Sequence, residues 1–482
     1  MIRILLSSIL TGVLLLAGLS GCATNPATGG TDFVLMSEEQ ELSLGRKLHP
    51  QVLKEYGRYE DAALQSYVQK VGDRLTRASD RPELIYRFTV VDSPVVNAFA
   101  LPGGYIYISR GLMAHLNSEA QLAGVLAHEL GHVTARHSVR QYSQRTLIGI
   151  LGAVAASAAN VPGGGDLMRV LGTAIVRGYG RSMELEADRL GARYLARAGY
   201  PPQAMMEVIR ILKAQETFEK RLAKEEGREP RTYHGLFSTH PDNDTRLQEV
   251  IQAAERQEIK GGSPRISRET YLRHIDGLVF GDSKREGIRR ANRFYHAELG
   301  FALAFPRGWV IENLSDRLIG RTRDGVARIQ MFTDDLNKRM TPRAYLEGRL
   351  KLKDLKSGRS LRIAGLDGYT AIAASRSRVA VIFMQHRAYT FVGTVRKGEA
   401  VLSKYDTRFL DTIASFHRLK PTERHFAEPL RIAIHHVQPG DTIRRLAEAS
   451  PLPHHAEAKL RLLNGLFPAD EPRVGTLFKI VE

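Results

Sequence analysis

The hydrophobic pattern of the chain changes character several times along its length. Ile4 to Leu19 is an almost unbroken apolar run behind one basic residue, Arg3, and it closes on Leu19-Ser20-Gly21-Cys22. From Met36 to Ala78 apolar positions recur at helical spacing and predict two helices, with Ser37 and Gln40 arranged as a capping box. Val95 to Met113 (VVNAFALPGGYIYISRGLM) predicts a strand, a Pro-Gly-Gly turn and a second strand. Asn117 and Ser118 are capping-type residues ahead of a helix whose apolar rhythm is Leu122, Val125, Leu126 and Leu130. Ser182 to Gly199 predicts another strong helix, stopped at Gly199 and followed by Pro201 and Pro202.

Beyond about Ser267 the period shortens. FALAFPRGWVIEN, RIQMFT, YTAIAAS, VAVIFMQHRAYTFVGTV and FLDTIASFH alternate or run apolar at strand lengths, with helices expected at Arg343 to Leu355 and Ser403 to Phe416. This segment reads as an antiparallel α+β domain, faintly similar to PsbP-type folds, with no catalytic constellation and a structural or partner-binding role. His435 to Val481 has a V-x-P-G-D-T turn, two short helices around L-N-G-L and a closing strand. It resembles a LysM module of βααβ order, which implies binding to N-acetylglucosamine polymers such as peptidoglycan. Ile443-Arg444-Arg445 stands where an aromatic often sits, and His454 and His455 read as loop residues.

The expected organisation is therefore α+β and multidomain. Residues 1–21 are a signal peptide, 22–35 a tether, 36–260 a mainly helical domain with a small sheet, 267–420 the α+β accessory domain, and 432–482 the βααβ module. KGGSPR (Lys260 to Arg265) serves as a linker. Leu147 to Val176 is rich in small apolar residues around Gly163-Gly164-Gly165, and its first stretch, Leu147 to Val161, is too short and Ala/Gly-rich for a membrane span. It is read with equal weight as a helical lid or as core packing.

Candidate chemistry concentrates at residues 128–132, HELGH. His128 and His132 lie four residues apart, so both imidazoles leave one face of a helix and can grip a single metal. Glu129 sits about 100° around the axis, close enough to reach a water without ligating the ion. A catalytic zinc needs a third protein ligand and an open position. SMELEADRLGARYLARAG offers Glu184, Glu186 and Asp188, and spacing alone does not choose among them.

HELGHVTARH followed by E-x-E-A-D-R-x-G closely resembles the zinc metallopeptidases related to HtpX, to the CAAX prenyl protease and to the beta-barrel assembly-enhancing protease. The resemblance implies a gluzincin-type domain with one zinc per chain, Glu184 as the third ligand, and Asp188 bracing a ligand histidine. It also implies that Asn97, Ala98, Phe99 and Ala100 form the sheet edge where an extended substrate pairs its backbone. FSTHPDNDTR (Phe237 to Arg246) matches the family's T-H-P-x-x-x-x-R element. There His240 is implied either to stabilise the oxyanion or to occupy the fourth zinc position in a closed state, and sequence does not decide between these opposed roles. Arg246 is implied to anchor that loop or a substrate carbonyl. The expected reaction is hydrolysis of a peptide bond by activated water, with Glu129 taking the proton and returning it to the leaving amine.

The N-terminal pattern is that of a lipoprotein signal, with Cys22 as acceptor for lipidation. Ala23 in place of Asp favours the outer membrane, so the expected location is its periplasmic side. Cys22 is the single cysteine in the chain, which excludes a disulfide framework. A formal charge of +17 favours anionic surroundings such as lipid head groups or wall polymer. No nucleic-acid module is present, and nucleic acid is not an expected partner. The expected function is a lipid-anchored periplasmic endopeptidase acting on misfolded or stalled outer-membrane proteins. Its rival is a chaperone-like or peptidoglycan-binding assembly factor whose metal site is regulatory or seldom active.

Overall fold

The structure, a computed structural model, describes residues 22–144, 146, 179–225, 264–314, 316–396 and 399–482. Residues 1–21, Leu147 to Val176, and the element carrying His240 and Arg246 lie outside the described residues. The chain is an α+β multidomain protein. The described residues up to Leu278 form one compact unit together with Arg431–Glu482, and Val279–Leu430 form a second. Among the described residues no helix is long and apolar enough to cross a membrane.

The first unit begins with a hairpin, β1 (Cys22–Thr24) paired antiparallel with β2 (Thr31–Phe33). Asn25 closes its turn, because Oδ1 accepts the N–H groups of Ala27 and Thr28 at 2.9 and 3.3 Å. The tether expected over 22–35 is thus a formed hairpin, in which Asn25, Ala27 and Val34 are buried. Helix α1 (Glu38–Tyr56) starts from the expected capping box of Ser37 and Gln40. Gly57, at φ 72°, ends it. Helix α2 (Ala62–Thr76) is capped by Asp61 and buries Leu64, Val68, Val71 and Leu75.

A three-stranded sheet follows in the order β3 (Arg87–Val91), β5 (Tyr105–Ser109), β4 (Ala98–Leu101). β3 runs parallel to β5, and β4 pairs antiparallel with β5 across the expected turn. Gly104 sits in that turn at φ 87°, where a Cβ would lie 2.9 Å from the Ile85 carbonyl oxygen. Helix α3 (Arg110–His115) leads to α4 (Glu119–Thr134), capped by Ser118, and every residue of α4 is buried. A helix buried on all sides belongs at the centre of its domain, and α4 packs there against α2, β4, α5 (Arg181–Arg197) and α6 (Gln203–Glu225). After α7 (Arg268–Ile275), the closing segment of the unit is Arg431–Glu482. Its strands Leu430–His436 and Leu477–Val481 pair antiparallel around helices Ile443–Glu448 and Ala456–Asn464.

The second unit carries a seven-stranded antiparallel sheet. The spatial order is Val310–Asn313, Leu318–Arg321, Ala327–Asp335, Arg387–Val395, Arg378–Met384, Leu366–Ile372, Lys356–Ile363. The helix expected at Arg343 to Leu355 is shorter, a turn at Pro342–Ala344 followed by a π turn at Tyr345–Arg349. Lys351 and Asp354 adopt φ 55° and 52°, a left-handed conformation that cannot continue a helix. FLDTIASFH is largely helical, lying mostly within Glu399–Ala414, and its Phe409, Ile413 and Phe416 enter the core at i, i+4 and i+7.

Candidate metal centre

Two helices build the site. His128 and His132 project from one face of α4, with their Nε2 atoms 3.1 Å apart. Glu184, in the first turn of α5, faces both: Oε2 lies 3.6 Å from His128 Nε2 and Oε1 3.7 Å from His132 Nε2. All three are buried, and among the described residues they form a group whose donor atoms can converge on one metal ion. Tetrahedral zinc, with nitrogen and oxygen ligands at about 2.0–2.2 Å, places its donors roughly 3.3 Å from one another. The observed spacings fit that ion, and two imidazoles with a carboxylate are a donor set zinc takes.

The α4–α5 approach is close because glycine lies at the contact. A Cβ at Gly131 would come 2.8 Å from the Ala187 carbonyl oxygen, and one at Gly191 would meet the backbone of Ala127 and His128 at 3.2 Å. Asp188 lies one turn beyond Glu184, and its Oδ1 is 2.8 Å from His128 Nδ1. An ionised carboxylate there keeps the proton on Nδ1 and turns Nε2 towards the ligand position. Glu129 is fully buried beside His128. With His128 and Asp188 it lines a pocket whose remaining walls are Gly124, Val125, Met205, Val208, Ile209 and Leu212.

His132 is held differently. Its Nδ1 is 2.8 Å from Nδ1 of His137, and the Tyr179 ring stacks on it at 4.1 Å between centroids. Tyr179 shares a hydrogen bond of 2.7 Å with Ser138 Oγ, and burial pushes its phenol well above the ordinary range. Burial likewise lowers the pKa of His137, so its neutral form is favoured. Nε2 of His137 lies 3.3 Å from Glu186 Oε2. Burial opposes ionisation of Glu186, yet His137 and Arg140 together bring its pKa down to about 2.

The structure brings His128, Glu129, His132, Glu184 and Asp188 together. Asn97 to Ala100 lead into and form β4, which lies at the sheet edge and packs on α4. Cys22 pairs with Phe33 in the N-terminal hairpin. His240 and Arg246 lie outside the described residues. Sequence reasoning missed His137, Tyr179, the role of Glu186, Arg140 and Asn25. His137 stands five residues past His132, off the ligand face of an ideal helix. Arg136, at φ 54°, breaks the helix and swings His137 back towards it.

Comparison with known proteins agrees with this geometry. Residues 62–254 match peptidase family M48. The beta-barrel assembly-enhancing protease of Yersinia pestis is 28% identical over 392 residues, 76% of this chain and 76% of that protein. Its Escherichia coli K12 namesake is 28% identical over 244 residues, covering 48% of this chain and 47% of that protein. The mitochondrial metalloendopeptidase OMA1 of Schizosaccharomyces pombe is 27% identical over 253 residues, 51% of this chain and 70% of that protein. A solved cyanobacterial PsbP from Synechocystis aligns at 13% identity and TM-score 0.22, over 28% of this chain and 93% of that one. That likeness is too slight to carry an argument.

Proposed function

Since the chain is a zinc metalloendopeptidase of the M48 family, we propose that it cuts polypeptides in the quality control of outer-membrane protein assembly, with His128, His132 and Glu184 as its zinc ligands and Glu129 as its general base. The observation that carries this reading is the convergence of three buried donors from two helices beside a buried glutamate. Zinc bound there would lower the pKa of a water from about 15.7 towards 7 and polarise a peptide carbonyl. Glu129 accepts the proton as the water attacks and passes it to the leaving amine. Asp188 holds the His128 tautomer through both steps. The edge of β4 receives an extended substrate by backbone pairing, and the pocket walled by Val125, Met205, Val208, Ile209 and Leu212 takes an apolar side chain. His240 and Arg246 act from the T-H-P-x-x-x-x-R element, His240 either at the oxyanion or as a closing fourth ligand.

The same reading places the enzyme on the periplasmic side of the outer membrane, anchored through a lipidated Cys22. It is supported by the apolar run ending at Leu19-Ser20-Gly21-Cys22 and by the similarity to proteins named beta-barrel assembly-enhancing protease. The βααβ order of the closing segment supports a LysM-like role, with peptidoglycan as the polymer it would bind.

Glu129→Gln provides the test. Cleavage of unfolded casein is expected to fall by about 10²–10⁴-fold, while zinc content and melting temperature stay at wild-type values. Wild-type cleavage rates in that variant overturn the assignment. If both proteins rescue envelope defects equally and neither cuts casein, the assembly-factor reading takes its place.

A further inference from the structure

Metal-bound histidines generally donate their second ring N–H to a carboxylate, a carbonyl or water. His128 does so directly, to Asp188 at 2.8 Å. At His132 a second imidazole is interposed, and the carboxylate stands one step further away. We propose that Glu186, acting through His137, is the positioning carboxylate for His132, and that the N-terminal hairpin holds Glu186 in place.

The tautomers follow one another along this line. For Nε2 of His132 to bind a cation, its ring proton must sit on Nδ1, and that N–H points at His137 Nδ1, 2.8 Å away. His137 can accept there only if its own proton is on Nε2, the atom facing Glu186 Oε2 at 3.3 Å. The Glu186 carboxyl group, 3.3 Å away, favours the proton on Nε2 of His137, and that in turn favours the Nδ1 proton of His132. Glu186 is secured in turn at both oxygens. Asn25 Nδ2 donates to Oε1 at 3.1 Å, and Arg140 Nη1 donates to Oε2 at 2.9 Å.

Both securing groups involve the hairpin. Asn25 belongs to its turn, and Arg140 Nε lies 3.2 Å from Oδ1 of Asp32 on β2. The hairpin and the chain after it are fastened to the same side of the domain at further points. Arg193 donates to the Ala27 carbonyl at 3.2 Å, Arg136 to the Met36 carbonyl at 3.0 Å, and the Leu35 N–H to Ser143 Oγ at 2.9 Å. The stretch directly behind Cys22 is thus part of the support of a metal ligand. Glu186 also acquires a purpose distinct from that of Glu184, which lies two residues away and faces the metal position.

The inference rests on His128, His132 and Glu184 being the ligands, and its test separates the two ideas. Zinc dissociation constants of the full chain are measured by competition with a chromophoric chelator, alongside the visible spectrum of the cobalt-substituted protein and kcat and KM on casein. Glu186→Gln and His137→Ala are expected to weaken zinc binding by about 10–100-fold and to lower kcat with KM held. His137→Gln, whose amide can both accept and donate, recovers part of that loss. Asn25→Asp is the gentlest probe. Its retained Oδ1 still closes the hairpin turn, while the donor to Glu186 becomes an acceptor, and several-fold weaker zinc binding is expected. Wild-type zinc affinity and cobalt spectrum in both Glu186→Gln and Asn25→Asp overturn the proposal. If instead Glu184→Gln keeps zinc and Glu186→Gln loses it completely, the ligand assignment falls, and this inference falls with it.

Discussion

Asp188 and Glu129 are both buried carboxylates beside His128, yet their surroundings give them different work. Both line the pocket a substrate would enter, but Asp188 is committed to His128 Nδ1 at 2.8 Å. Asp188→Ala is therefore expected to weaken zinc binding by about 10–100-fold, and Asp188→Asn by less, because the amide oxygen still accepts the ring N–H. Chelator competition measures both, and unchanged affinity in Asp188→Ala would remove Asp188 from the site. These residues differ in how far the sequence reveals them. The helical period puts His128 and His132 on one face, and it puts Glu184 and Asp188 on one face of the next helix. Glu186 lies about 200° around from Glu184 and so looks like a solvated position. Its half-buried place against His137 depends on the left-handed turn at Arg136, which no local pattern announces.

At the scale of elements, the geometry of the centre is set by how near α4 and α5 can come. Gly131 and Gly191 let one backbone rest against the other, and Glu184 reaches across only because they do. Gly131→Ala would put a Cβ 2.8 Å from the Ala187 carbonyl oxygen, a backbone atom that cannot rotate away. The helices must separate, so a loss of about 1–3 kcal/mol in stability is expected together with at least tenfold weaker zinc binding. Gly180→Ala, where an added Cβ meets nothing within 4 Å, serves as the control. Urea unfolding and zinc titration read the two effects, and a Gly131→Ala protein that matches the control would show that close approach is not required. The helices with their caps, and the β4–β5 turn, follow from apolar period and turn chemistry, which are local. The closeness of two helices is not local. Gly131 within HELGH and Gly191 within EADRLG read only as tolerated glycines until the two helices are placed side by side.

At the scale of the molecule, the closing segment belongs to the peptidase unit, and a single lysine makes much of that join. Lys479 lies in the strand Leu477–Val481, where the alternation of F-K-I-V suggests a side chain turned to water. It is instead fully buried, with Nζ donating to the carbonyl oxygens of Ala114 and Leu116 at 2.6 and 2.7 Å. Those carbonyls end α3, immediately before the cap of the helix that carries His128 and His132, and a helix C-terminus leaves such groups in need of donors. Asn464 fixes the lysine's backbone from the neighbouring helix, accepting from its N–H at 2.8 Å and donating to its carbonyl at 2.9 Å. Burial drives the Lys479 pKa well below its ordinary value, with Arg268 adding to the effect. A neutral amine has two N–H bonds, which matches the two carbonyls it serves. The sign of the pH effect follows. The unfolded chain keeps this amine protonated up to about pH 10.5 while the folded chain releases the proton earlier, so the group's contribution to stability rises with pH until the unfolded amine also titrates. Lys479→Met strands both carbonyls and removes that titration. The stability gap between wild type and Lys479→Met is therefore expected to widen from pH 7 to pH 9, as measured by urea unfolding at each pH. A gap that stays constant or narrows would mean that the buried amine keeps its charge, and that the closing segment is held by its other contacts.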